Sequence, residues 1–234
     1  MARPVPGPAL ATDDPHLAPT TVELRRPVLR GWLHVPAALL VAVGGSLLAA
    51  DAPNPGATAA LAVYTLSMVT LFTVSAAFHR VRWGPVGRRR MRRADHSTIF
   101  FGIAGTYTAV AVLVLSGWAE VLVLALVWTG AAVGITVRQV WLELPKWAVA
   151  VPYVVVGWCA LAVLPQLLSG LGGGGFTLLL TGGLSYSAGA LVYAQRRPNP
   201  FPGVFGYHEV FHALTVLGAS LHFAALAVSG LRPR

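Results

Sequence analysis

Three short stretches carry residue types able to do chemistry. HEVFH, residues 208–212, matches the H-E-x-x-H zinc-protease pattern, with Glu209 between two histidines. SAAFH, residues 75–79, sets Ser75 and His79 at the same four-residue spacing, and ADHSTIF places Asp95 beside a run of arginines. Residues four apart on a helix share one face. His208 and His212 thus offer two neutral nitrogens in one direction, and His79 from a second helix supplies a third. Three such ligands leave zinc an open position for water, as catalytic zinc sites do. Asp95 is then suited to act as general base or to orient a ligand histidine. Ser75 is suited to hydrogen-bond that water or a developing oxyanion.

The elements that must hold these residues are written in the composition. Of 234 residues, 56% are hydrophobic and 11% charged, against roughly 25% charged in an ordinary soluble domain. Mean hydropathy is +0.67. Apolar stretches long enough to cross a bilayer recur along the chain. Seven spans can be drawn, at 32–50, 57–79, 95–116, 118–137, 147–165, 176–194 and 207–229. The fold class is therefore an all-α, polytopic membrane protein with a seven-helix bundle over residues 31–234. Residues 1–30, Pro-rich and without an apolar core segment, read as a flexible cytoplasmic tail. Short segments of alternating polarity, the mark of a membrane β-barrel, are absent. Cys159, the single cysteine, rules out a thiolate cluster or an intrachain disulfide, so a metal must take His and carboxylate ligands.

Charge orients the spans. Of the 17 lysines and arginines, 15 lie in the N-terminal tail and in the loops after spans two, four and six; only Arg232 and Arg234 lie elsewhere. The positive-inside rule puts the N-terminus in the cytoplasm and the C-terminus outside. The net charge of +9 thus reflects topology, and no nucleic-acid partner is expected. In this topology His79, Asp95, His208 and His212 all reach the cytoplasmic half of the membrane, at one depth. Ionisable groups there are costly and mark function or a buried pair.

Other polar residues read as structural. His34 and His222 lack partners at matching depth and read as helix–helix hydrogen-bonding residues. His96 points about 100° from Asp95 and falls outside the ligand set. The run RRRMRR reads as a topology determinant against anionic headgroups, and SGLGGGG as a flexible outer loop.

SAAFH, ADHSTIFFGIAGTYTA and HEVFHALTVLGASLHF together resemble the signature blocks of the hemolysin III family, the bacterial branch of the progestin and adipoQ receptor (PAQR) superfamily, which includes the adiponectin receptors. The resemblance covers all seven spans. It implies a seven-helix bundle with an intramembrane zinc near the cytoplasmic face. It maps the family's zinc ligands onto His79, His208 and His212, its water-contacting aspartate onto Asp95 and its serine onto Ser75. One departure is Ala109, where bacterial members usually carry proline after GTYT; this bears on helix geometry rather than chemistry.

The expected function is zinc-dependent hydrolysis of a lipid amide or ester in the cell membrane, ceramidase-like in the receptors that the family resembles, with membrane lipids as partners and roles in lipid homeostasis or haemolysis. A non-enzymatic sensor or membrane-perturbing hemolysin with structural zinc is the alternative. An intramembrane protease using Glu209 as base is disfavoured, because no span follows HEVFH to supply the remaining ligand motif.

Overall fold

The computed structural model describes residues 27–141 and 143–230. The flexible tail expected over residues 1–30 lies outside them up to residue 26. Among the described residues the protein is built from helices, in the order α1 (His34–Ala50), α2 (Pro55–Arg80), α3 (Pro85–Val114), α4 (Trp118–Val140), α5 (Lys146–Gly157), a 3-10 turn (Cys159–Val163), α6 (Leu164–Gln195) and α7 (Tyr207–Gly230). It is an all-α polytopic membrane protein. Large apolar side chains such as Leu39, Leu40, Leu47, Val121 and Val155 face outward, where water would penalise them and lipid does not.

Five segments are long and apolar enough to cross a membrane: Pro55–Arg80, Pro85–Val114, Trp118–Val140, Lys146–Gln195 and Tyr207–Ser229. The count of seven drawn from sequence differs at two places. α1 has 17 residues and falls among the shorter apolar helices. The 50-residue stretch Lys146–Gln195 holds two of the drawn spans. Its contacts run across the bundle and back. Lys146 lies over the rings of Tyr193 and Tyr207, Gln166 accepts from the Ser116 amide beyond the far end of α3, and Tyr193 is again beside His208.

The glycine run replaces an expected loop with a single break. Within α6 only Gly172 leaves helical geometry, at φ 64° and ψ 172°, a conformation that costs glycine little and other residues much. The basic stretch after α2 also differs from expectation, since α3 begins at Pro85 and carries the arginine run on helix. Proline suits the first helical turn, and arginine is a good helix former. At 30 residues, α3 is about 45 Å long, so its basic end projects past the roughly 30 Å apolar layer.

Small residues let the helices approach closely. A Cβ on Gly105 of α3 would stand 2.0 Å from the Ser67 hydroxyl of α2, and one on Gly134 of α4 would stand 2.2 Å from the Phe100 ring of α3. Such contacts do the work that hydrophobic burial does in water. They fix α2 and α3 side by side, and with them His79 and Asp95.

Candidate metal centre

The basic ends of α2, α3 and α7 meet. α2 brings Ser75 and His79 one turn apart near its C-terminus, and α7 brings His208 and His212 within its first two turns. The start of α7 is fixed by its own sequence. The Gly206 amide donates to Glu209 Oε2 at 2.8 Å, the glutamate half of a capping box. The Tyr207 amide donates to Asn199 Oδ1 at 2.9 Å.

His79, His208 and His212 each turn a ring nitrogen to one point, and the three atoms lie within 4.8 Å of one another. The closest pair is His79 Nε2 and His208 Nε2, 3.1 Å apart. His212 is 2% exposed, and its Nδ1 is buried with no hydrogen-bond partner. These three residues could hold a metal ion. Asp95 stands beside them, with Oδ2 3.9 Å from His79 Nε2. Ser75, one turn before His79 on α2, lines the same cavity as Asp95, so all five residues singled out in the sequence lie at this end of the bundle.

Glu209 points away from the cluster. It is 1% exposed, and besides its contact with Gly206 it pairs with Arg30. Both carboxylate oxygens are thus engaged in holding the chain. Arg30 belongs to a segment that crosses the basic end before α1. The Val28 and Leu29 amides donate to the Gly203 and Val204 carbonyls at 3.1 and 3.2 Å. Gly31, at φ 77°, lies so near α2 that a Cβ would come 2.7 Å from His79 Cβ.

His34 is the residue that depth and spacing missed. It opens α1 at this same end, 2% exposed, and stacks on His212 with ring centroids 4.0 Å apart and planes 18° from parallel. Its position at the start of span one already put it at the depth of the cluster. The residues it would meet depend on how α1 packs against α7, which spacing along one helix does not reveal.

The centre opens onto a cavity that encloses about 1510 Å³ of space not filled by atoms, its mouth included. Ser75, Asp95, His208 and His212 line one end, and mostly apolar side chains such as Leu71, Ile103, Leu164, Leu167 and Phe176 line the remainder.

The sequence profile of the family described as "Haemolysin-III related" matches residues 22–223. The chain belongs to the hemolysin III family. Hemolysin-3 of Bacillus cereus is 30% identical over 191 residues, 82% of either chain. The Hemolysin-3 homolog of Bacillus subtilis (strain 168) is 29% identical over 161 residues, 69% of this chain and 72% of that protein. A shorter likeness, 43% over 51 residues, links this hemolysin III protein to Heptahelical transmembrane protein ADIPOR2 of Oryza sativa subsp. japonica, covering 20% of this chain and 22% of that protein. It agrees with membership of the PAQR superfamily.

Proposed function

We propose that this hemolysin III protein is a zinc-dependent hydrolase of the cell membrane that cleaves an amide or ester bond of a lipid within the bundle. The observation that carries this reading is the convergence of three histidine nitrogens, with Asp95 beside them, on the end of an apolar cavity.

The donor set suits zinc. With Zn–N bonds of about 2.0–2.1 Å, two nitrogens of a tetrahedral site stand ~3.3 Å apart. His79 Nε2 and His208 Nε2 stand 3.1 Å apart, close to that separation. His79, His208 and His212 would be the ligands. A zinc ion held by three neutral imidazoles supplies Lewis acidity and acidifies water. The remaining work falls to the chain. Asp95 accepts the proton of the attacking water and returns it to the leaving nitrogen or oxygen as the acyl bond breaks. Ser75, which lines the same cavity, would hydrogen-bond the attacking water or the developing oxyanion. The apolar lining takes the acyl chain and keeps bulk water from the reacting bond. The family name and the names of the Bacillus relatives speak of haemolysis, which altered membrane lipids would favour.

The test is metal quantitation on the purified protein, followed by turnover of a panel of lipid amides and esters by wild type and Asp95→Asn. Stoichiometric zinc, with hydrolysis by the wild type alone, is the expected result. A zinc-loaded wild type inert toward the whole panel would sink the hydrolase reading.

A further inference from the structure

Residues 27–33, ahead of α1, cross the basic end as a strap that touches both helices bearing the histidine cluster. The Val28 and Leu29 amides donate to the carbonyls of Gly203 and Val204, in the loop that leads into α7. Arg30 pairs with Glu209, which stands between His208 and His212 in sequence. Gly31 turns at φ 77°, and a Cβ there would come 2.7 Å from His79 Cβ and 3.3 Å from Arg80 Cγ, both on α2. Trp32 lies under the Arg80 guanidinium, whose carbon is 3.4 Å from the ring centroid. His34, the first residue of α1, then stacks on His212.

The cluster therefore has two ways out. Helices wall its sides, since α1 and α3 each pack against both α2 and α7. One remaining face gives onto the apolar cavity, and the strap closes the other. The closure is nearly complete: the His79 side chain is 9% exposed and that of Asp95 12%. A hydrated divalent cation is ill suited to the cavity route, because a mostly apolar wall offers little to replace its water. The strap is held by groups that water can replace. They are an ion pair whose arginine is 20% exposed, two backbone hydrogen bonds, and a cation–π contact on a tryptophan that is 48% exposed. A segment with few buried apolar contacts is the kind that opens locally.

We propose that residues 27–33 form a gate through which a divalent metal ion reaches His79, His208 and His212 from the basic end, with Arg30 as its latch. The proposal rests on the metal-centre reading and does not need hydrolysis. The strap contributes none of the three residues that could hold the ion. Opening it should speed entry and escape alike and leave affinity where it was. A strap that merely braced the ligands would act otherwise, its loss speeding escape alone and weakening affinity.

The test uses full-length protein in nanodiscs. Uptake of Zn²⁺ by stripped protein, and its release to excess EDTA, are timed. Arg30→Ala removes the latch, Trp32→Ala loosens the strap on α2, and Leu164→Ala trims the apolar wall of the cavity. In Arg30→Ala both rates should rise about tenfold or more, as loss of a hydrogen bond between charged groups allows. Trp32→Ala should raise both by less, and Leu164→Ala should leave both within about twofold of wild type, as a substitution remote from the gate does. Unchanged rates in both strap variants, a rise in release alone, or a larger rise in Leu164→Ala overturns the gate. Should Arg30→Ala not fold, Trp32→Ala carries the same readouts. A metal-free arm stands beside this one. Diethyl pyrocarbonate, read by mass spectrometry, should acylate His79 and His208 of stripped protein faster in the strap variants, with His222 unchanged. Equal acylation overturns the gate. If the wild type takes up no Zn²⁺, the metal-centre reading falls on that result and the acylation rates alone decide whether the strap gates the cluster.

Discussion

The two ends of α7 carry histidines of opposite fate. At its start His208 and His212 face His79, nitrogen toward nitrogen. Further along the same helix, His222 sets its Nε2 3.0 Å from the Leu179 carbonyl of α6. Its ring fills a notch at Gly182, where a Cβ would come 2.3 Å from His222 Cδ2, and meets Tyr186 edge-on at 5.3 Å. His212 and His222 are both buried, so burial does not separate the two ends. What separates them is the neighbouring group. A carbonyl asks an imidazole for its proton and makes it a strut between helices. Two other imidazoles offer only lone pairs or N–H groups, and a cation is what reconciles three lone pairs.

The contrast breaks first at the metal. His79→Ala and His208→Ala, on different helices, should each lose bound zinc in a chelator competition. The loss should exceed the 10- to 100-fold typical of residues that merely support ligands. His222→Ala should keep one zinc per chain. If His222→Ala lost as much metal as the other two, the division of α7 into a metal end and a structural end would be wrong.

Next in size is Asp95→Asn. Turnover of the best lipid substrate should drop on the order of 10²- to 10⁴-fold, the usual contribution of a general base, while zinc content is retained. A parallel loss of metal would instead make Asp95 a ligand. The far end should respond in the other currency. Gly182→Val drives a side chain into His222 and should destabilise the protein by about 1–3 kcal/mol, as overpacking does. Thermal unfolding in detergent, with zinc counted on the folded fraction, separates the two effects. Unchanged stability would mean that the His222 notch is not a tight contact.

The clustering of His79, His208 and His212 was legible because it obeys one-dimensional rules. The i,i+4 spacing of His208 with His212, and of Ser75 with His79, fixes a shared face on each helix. The arginine distribution fixes which helix ends lie together. Helical class follows from apolar length in the same way. What escaped depends on packing between helices distant in sequence. His34 meets His212 across almost the whole bundle, from the start of α1 to the start of α7, and His96 meets Arg138 across α3 and α4. The break at Gly172 escaped for a different reason. A run of four glycines is compatible with a loop, yet three of them stay helical once α6 packs against its neighbours.

The smallest expected effect concerns Glu209, which lies between His208 and His212 in sequence and carries the protease resemblance. Its carboxylate is committed to the Gly206 amide and to Arg30. Glutamine at this position keeps an acceptor for the amide, so the capping box survives. It removes the charge that Arg30 faces, and Glu209 is 1% exposed. Pairing of a partly buried arginine is then weakened, which costs on the order of 1 kcal/mol. Glu209→Gln should therefore unfold slightly earlier while binding zinc and turning over lipid within about twofold of wild type. A general base would behave otherwise, losing turnover by orders of magnitude at unchanged stability. The two outcomes differ in which measurement moves, so even a small shift assigns Glu209 to the scaffold or to the chemistry.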